Sequence, residues 1–276
     1  AGLAAFDTSL PPEDLHTENI KKNLVGSVIE AQTSRFPKPP ASRREYHAIT
    51  RGWVANEIFR RADPAGRTIG EFLREDVSGP LEVDAMIGVR EEDLPRISPV
   101  VPLGFLFTFL ESLKPRFLGR RIERNIFQLI GRLARIIVGA RRATVGSAPP
   151  PFKGMTGLGN FNDPAVVMGE TPSANANCTA RGLAKIAAML SGGGSWNGRQ
   201  YLSAKGWDAL HGNPVFADMS IMPSFFSQGG VNEFVDETSK GQKESVLGRA
   251  LNDGRQGFFG WMGLGGSIFQ WHPRHD

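Results

Sequence analysis

The chain has 276 residues, of which 40% are hydrophobic and 22% are charged, and it contains 33 glycines and 19 prolines. This balance is typical of a globular protein with many turns, and it excludes a coiled coil or a fibre. The single cysteine, Cys178, excludes an internal disulfide. It favours a reducing compartment, so we expect an intracellular protein, either cytoplasmic or mitochondrial.

The net charge of +4 is concentrated in one segment. Between residues 116 and 142 there are eight arginines and one acid, Glu123, which gives a local charge of +7; subtracting this from +4 leaves −3 for the remainder. Apolar residues from Phe117 to Val138 repeat at helical spacing, so we predict a basic helical insertion at about 100–150. Its candidate binding residues are Arg116, Arg120, Arg121, Arg124, Arg132 and Arg135.

Three interpretations of this basic segment remain open. It is a solvated face, or it binds an acidic protein partner, or it lies on a membrane surface. A membrane span is excluded because no run approaches the ~20 uncharged apolar residues that a bilayer requires. Nucleic-acid binding is not expected, because the polar side of the helix lacks aromatic residues on which bases could stack.

Taken in chain order, the first predicted element is a helical stretch over about 18–32, followed by a helix over about 46–61. The second helix carries Ile49, Trp53, Val54 and Ile58 on one face, which should be core. Thr68 and Glu71 have the spacing of a capping box. We expect a short helix from there to about residue 77, ended by Gly79-Pro80, and then a strand over 82–89.

Regular structure is predicted again after residue 172. A helix over 180–191 has Thr179 as its N-cap, and a further helix begins at about Ser203. The stretch from Gln256 to Pro273 alternates glycine with aromatic and β-branched residues. It predicts two antiparallel strands joined through residues 263–266.

Several strings, in this order, resemble one known family. They are Tyr46-His47-Ala48, Thr50-x-Gly52-Trp53, Pro172-Ser173-Ala174-Asn175, Phe226-Ser227-Gln228-Gly229-Gly230 and Phe259-Gly260-Trp261-Met262-Gly263. Together they resemble the serine β-lactamases, penicillin-binding proteins and related esterases, in the branch that includes the animal mitochondrial lactamase-like proteins. The resemblance covers nearly the whole chain and implies an α/β (α+β) fold, with helices packed on an antiparallel sheet.

The resemblance also implies site residues. The family uses a Ser-x-x-Lys motif, a Tyr-x-Asn motif and a strand of the Lys-Thr-Gly, His-x-Gly or Trp-x-Gly type. Tyr46 matches the second motif in part, because Ala48 replaces the asparagine, and Tyr46 would help to move the proton of the nucleophile. Trp261, Met262 and Gly263 match the third, and would supply an oxyanion N–H and shape the pocket. Judged alone, a tyrosine and a tryptophan in such places are more often structural.

The Trp-x-Gly string carries no cation, and tryptophan cannot hold a carboxylate as lysine can. Neutral esters or amides are therefore expected as substrates rather than penicillin-type acids. The five histidines lack the spacing of a metal site, and no cofactor is expected.

No serine or threonine in the chain is followed by lysine three residues later. In the family that motif lies upstream of the Ala-Gly-Leu string that begins here. We therefore expect residues 1–276 to be an incomplete domain whose exposed sheet edge and apolar groove are covered by an upstream segment or another subunit.

Two functions follow from this gap. The first is a serine hydrolase of the esterase or peptidase type whose nucleophile lies outside this sequence. The second is a catalytically inactive structural or interaction subunit of a larger assembly, for which a mitochondrial location is one of the two expected compartments.

Overall fold

The structure is a computed structural model that describes residues 3, 5–33, 46–131, 148–218, 223–238, 241, 246–263 and 266–274. Arg132 and Arg135 of the predicted basic helix lie outside the described residues. The helices are α1 (Thr17–Lys21), α2 (Leu24–Ala31), α3 (Thr50–Ala62), α4 (Ile69–Phe72), α5 (Gly79–Leu81), α6 (Phe105–Leu113), α7 (126–131), α8 (Pro164–Met168), α9 (Ala180–Ser191), α10 (Ala204–His211) and α11 (Val246–Asn252). The strands are β1 (Ala85–Met86), β2 (Asn177–Cys178), β3 (Ser195–Trp196), β4 (Arg199–Gln200), β5 (Val215–Asp218), β6 (Pro223–Phe226), β7 (Asn232–Glu233), β8 (Phe259–Met262) and β9 (Ile268–Trp271).

The helical half of the molecule packs around Trp53, which is 1% exposed. Its ring lies 5.4 Å from that of Phe152 and 5.8 Å from that of Phe6, and its indole N–H donates to Thr171 Oγ1 at 3.0 Å. The predicted core face of α3 is correct at Trp53 and wrong at Ile58, which is 64% exposed. Asn56 and Glu57, three and four residues after Trp53, occupy the buried face instead.

The first predicted helical stretch is two helices rather than one. Asn23, between α1 and α2, has a φ of 66°, in the left-handed region that interrupts a helix. The chain therefore turns at this point before α2 begins.

The segment that begins with the capping box was predicted correctly at its start and wrongly at its end. Thr68 accepts from the N–H of Glu71, and the Glu71 carboxylate accepts from the N–H of Thr68. Gly79-Pro80 does not stop the helix, because proline in a first helical turn lacks only an N–H that would have no helical partner. The helical path runs through a π-helical turn (Leu73–Ser78) and α5, and ends at Glu82, whose φ is 53°. The predicted strand over 82–89 is limited to β1, paired with β2.

The second half of the molecule is built on a five-stranded antiparallel sheet with the order β5-β6-β7-β8-β9. Helix α9 packs against β9, with Met189, Leu190, Phe259 and Trp271 in one buried cluster. The predicted N-cap is present at Thr179, and the helix predicted to begin at about Ser203 is α10, with Ser203 as its N-cap. The prediction of helices on an antiparallel sheet, ending in a β8–β9 hairpin, is confirmed.

The predicted continuous basic helix is wrong over residues 119–125. A short 3-10 turn (Arg116–Leu118) is followed by Gly119 at a φ of 71°, and helical structure resumes only at residue 126. The apolar side chains of this segment are exposed, among them Phe117 at 86% and Phe127 at 80%. None of the helices in the described part of the chain is long and apolar enough to cross a membrane.

Candidate active site

Tyr46 lies in extended chain four residues before α3 begins, rather than on the helix itself. Its ring stacks on that of Trp261, with a centroid distance of 6.3 Å, and the Trp261 ring stacks in turn on Phe226 at 5.5 Å. Tyr46 is 40% exposed, so its phenol is open to solvent. The structure thus brings together two site residues that are 215 positions apart in the sequence.

The Pro172–Asn175 string holds the Tyr46 segment in place. Ser173 Oγ donates to the carbonyl oxygen of Ile49 at 2.8 Å and accepts from the N–H of Gly52 at 3.2 Å. A Cβ on Gly52 would lie 2.6 Å from the backbone nitrogen of Ser173, so only glycine permits this approach. The string therefore fixes where α3 begins and where Tyr46 stands.

The Trp261–Gly263 string forms the end of β8. Trp261 and Met262 are half-buried, whereas Gly263 is exposed. The Gly263 N–H donates to the carbonyl of Ser267 at 2.7 Å within the hairpin, so this N–H is not free to bind an oxyanion. Because N–H groups alternate sides along a strand, the N–H of Met262 faces away from β9. The pairing of β7 with β8 runs over Asn232–Gly260 and Glu233–Phe259, two residues short of Met262.

Arg51 is a cation beside this cluster that the sequence reasoning missed. Its guanidinium lies 5.4 Å from the ring centroid of Phe226, and it donates to the carbonyl of Gly230 at 3.1 Å. The Trp-x-Gly string itself carries no cation, but Arg51 lies over the Phe226 ring that stacks on Trp261. The one feature of the sequence that could have indicated Arg51 as a site residue is its position inside the Thr50-x-Gly52-Trp53 string, where it is the unspecified residue x.

Glu170 is a second group that the sequence did not reveal. Its side chain is 1% exposed, yet four donors surround the carboxylate. Oε1 accepts from Thr17 Oγ1 at 2.7 Å and Thr68 Oγ1 at 2.6 Å, and Oε2 accepts from Asn56 Nδ2 at 2.9 Å and the N–H of Gly70 at 3.0 Å. This carboxylate ties α1, α3 and α4 to the loop that continues into Ser173.

A groove lies beside β9, the last strand in the sheet order. It encloses about 590 Å³ and is lined mainly by α9, Trp196, Phe258 and the residues 270–272. Two polar atoms in its wall, Trp196 Nε1 and Gln270 Oε1, are buried and have no hydrogen-bond partner among the residues that the structure describes. Buried polar atoms of this kind are costly unless another group satisfies them.

Among the described residues, His211 and His272 pack against aromatic rings. His211 accepts from the indole N–H of Trp271 through Nε2 at 2.8 Å, which leaves Nδ1 as the donor to the Trp207 carbonyl at 2.8 Å. Burial lowers the pKa of His211 below its ordinary value. The His272 ring packs against that of Phe258, with a centroid distance of 5.1 Å. In the part of the chain that is described, no three potential metal ligands come together.

No family model matches the chain. Its sequence is 25% identical over 256 residues to Esterase/beta-lactamase LipL of Mycobacterium tuberculosis. The aligned region covers 90% of this chain and 50% of that protein. Among solved structures, a penicillin-binding protein homolog from Caulobacter crescentus superposes with a TM-score of 0.59 at 24% identity, over 99% of this chain and 60% of that one. A family VIII carboxylesterase superposes with a TM-score of 0.61 at 21% identity, over 99% and 59%. The chain therefore spans about half the length of the curated relative and about 60% of the two solved chains.

Proposed function

Because the chain is related to the serine β-lactamases and penicillin-binding proteins and has their fold, we propose that it forms the substrate-binding part of a serine hydrolase of the esterase or peptidase type. The observation that carries the proposal is the stacking of Tyr46 on Trp261, at 6.3 Å, beside the free end of β8. This stacking supports a site in which the Tyr46 phenol and the end of β8 act together.

In the proposed mechanism, a serine hydroxyl attacks the acyl carbonyl, and the Tyr46 phenol relays the proton from the nucleophile to the leaving group. The N–H of Met262, which faces away from β9, binds the oxyanion that forms on the carbonyl oxygen. Gly263 does not take this role, because its N–H is already bonded to Ser267.

The proposed substrates are neutral acyl esters or amides. The rings of Tyr46, Trp261 and Phe226 form an apolar wall on which an acyl group can pack. Arg51 is engaged with the Phe226 ring and the Gly230 carbonyl, so its charge is partly satisfied within the protein. A substrate carboxylate would need an available cation in the site, whereas a neutral ester or amide does not.

The nucleophile is proposed to come from a complementary segment or subunit that carries Ser-x-x-Lys and covers the β9 edge. An extended segment added to β9 would meet the open edge of the strand and the groove of about 590 Å³ beside it. The relatives, which are longer than this chain, have room for such a segment.

The test begins with the native protein, through its intact mass, its amino-terminal sequence and labelling by a serine-reactive fluorophosphonate probe. We expect a labelled serine within Ser-x-x-Lys, and hydrolysis of p-nitrophenyl butyrate. Replacing Tyr46→Phe should lower kcat by roughly 100-fold or more, since it removes the proton relay. The matched control is Tyr201→Phe, the second of the two tyrosines, which stacks on Arg199 instead and should change kcat less than about twofold.

A second candidate function is an inactive lactamase-like subunit of a larger assembly. The absence of Ser-x-x-Lys from all 276 residues favours it. A native protein that neither labels nor hydrolyses the ester, and that has no partner carrying the motif, would establish this alternative and contradict the hydrolase. Equal activity of the Tyr46 variant and the control would contradict the role given to Tyr46.

A further inference from the structure

A surface formed by residues 100–131, here called the 100–131 surface, presents large apolar side chains to solvent. Six of them are at least 67% exposed: Val101, Leu103, Phe105, Leu106, Phe117 and Phe127. Single exposed apolar residues are ordinary on a protein surface, but a contiguous stretch of this kind marks a binding surface.

The 100–131 surface is tied to the body of the protein. Asn162 accepts from the N–H of Val100 at 2.6 Å and donates to the Val100 carbonyl at 2.8 Å, which anchors the start of the segment. Glu111, 4% exposed, accepts from Lys114 and from the N–H of Arg121 at 2.8 Å, which ties α6 to the chain beyond Gly119. The Lys114 ammonium lowers the pKa of the Glu111 carboxyl. The Asn162 bonds therefore fix the start of the segment on the body of the protein, and the Glu111 bonds join two parts of the segment to each other.

The same segment is basic. Residues 100–131 contain one lysine and four arginines against two acids, a net charge of +3. The basic residues alternate closely with the apolar ones, as in Arg116-Phe117 and Arg121-Ile122, and Arg116, Arg121 and Arg124 are exposed. This net positive charge beside exposed apolar side chains is complementary to a surface with anionic groups above an apolar layer.

We propose that the 100–131 surface docks on an anionic phospholipid membrane. Phenylalanine and leucine side chains would enter the boundary between headgroups and acyl chains, while the arginine guanidinium groups stay at the level of the lipid phosphates. Four to eight basic residues beside an apolar face are the charge pattern that recognises acidic lipids. The inference goes beyond the hydrolase and does not depend on it.

The experiment is flotation of the full chain with vesicles of phosphatidylcholine containing about 30% phosphatidylserine, and with vesicles of phosphatidylcholine alone. We expect binding to the acidic vesicles that weakens as salt is added, because the charges are screened. Replacing Arg116→Gln and Arg124→Gln together should weaken binding by about 30-fold, at the usual contribution of one basic residue near such a surface.

The apolar part is tested with Phe105→Ser, Phe117→Ser and Phe127→Ser combined, which should weaken binding by more than about 100-fold. These side chains are exposed, so their removal leaves the core unchanged. The matched controls are Ile58→Ser, an exposed apolar residue on α3, and Arg181→Gln with Lys205→Gln, exposed cations on α9 and α10. Neither control should change binding by more than about twofold.

Several outcomes would overturn the inference: no vesicle binding, equal binding to neutral vesicles, or equal losses in the variants and the controls. If the chain does not bind vesicles but forms a dimer, and the triple phenylalanine variant abolishes that dimer, the surface would be assigned to contacts between copies of the chain. The surface would be assigned to contact with another protein by a different pair of results. These are no vesicle binding, and resistance to maleimide of the cysteines that Phe105→Cys, Phe117→Cys and Phe127→Cys introduce into the native protein.

Discussion

Replacing Glu170→Ala should remove much of the stability of the helical half. The change leaves three buried donors without an acceptor, on Asn56, Thr68 and Gly70, in addition to the more accessible hydroxyl of Thr17. Each buried donor left unpaired costs roughly 1–3 kcal/mol. Water entering the vacated space recovers part of this, so we expect a loss of about 4 kcal/mol in the free energy of unfolding.

The assay is urea unfolding followed by circular dichroism, with the slope against urea checked for constancy. Glu170→Gln is the informative second variant. Its amide oxygen can still accept from Asn56 and Gly70, and its NH2 can donate to the hydroxyls of Thr17 and Thr68, so it should lose only about 1–2 kcal/mol. Glu91→Ala, at an exposed position, is the control and should stay within about 0.5 kcal/mol of the parent chain. A Glu170→Ala variant within about 1 kcal/mol of the parent would refute the account of Glu170 as the tie between the helices.

Two further predictions concern Gly260, on strand β8, and His211, on helix α10 and hydrogen-bonded to Trp271 of β9. A Cβ on Gly260, whose φ is 148°, would lie 2.1 Å from the Phe269 carbonyl oxygen, so Gly260→Ala should cost about 3 kcal/mol or more in thermal or urea unfolding. Gly104→Ala, where nothing lies within 4 Å, is its control, and equal effects would contradict the argument. His211 folds in its neutral form with a lowered pKa, so its contribution to stability is complete above the ordinary value of about 6.5 and is lost as pH falls through the lowered pKa. His211→Gln, which keeps an acceptor for Trp271, should flatten the decline of unfolding free energy between about pH 7 and pH 5; an unchanged slope would contradict this.

The local signals of the sequence predicted the ends of several helices well. Thr68, Thr179 and Ser203 act through atoms two or three residues away, so the sequence contains the whole cap. The prediction that Pro80 ends the helix was wrong. A proline in the first turn of a helix and a proline that ends a helix cannot be distinguished in a sequence when the path of the preceding backbone is unknown. The prediction that Ile58 is buried was wrong because helical spacing does not show which of two overlapping faces of a helix is buried.

The candidate site could be predicted only through the family resemblance. No spacing rule links Tyr46 to Trp261, whose contact depends on the whole path of the chain between them. Arg51 occupies the unspecified position of its string and Glu170 lies outside the quoted strings. A single charged residue in a sequence is normally predicted to lie on the surface until its burial or its neighbours are known. The oxyanion N–H was assigned to the Trp261–Gly263 string as a whole, because the hairpin bond that uses the Gly263 N–H depends on strand register.

Among the residues that the structure describes, no strand pairs with the outer edge of β9, and this bears on how the isolated chain behaves at high concentration. Ile268-Phe269-Gln270-Trp271 contains no lysine, proline or acid, which are the residues that natural edge strands use to discourage pairing with other molecules. Two such edges can pair with each other and extend one sheet across two molecules. Aggregation during expression of this chain alone would thus originate at β9, and a lysine at the exposed Ile268 would be the substitution that improves its solubility.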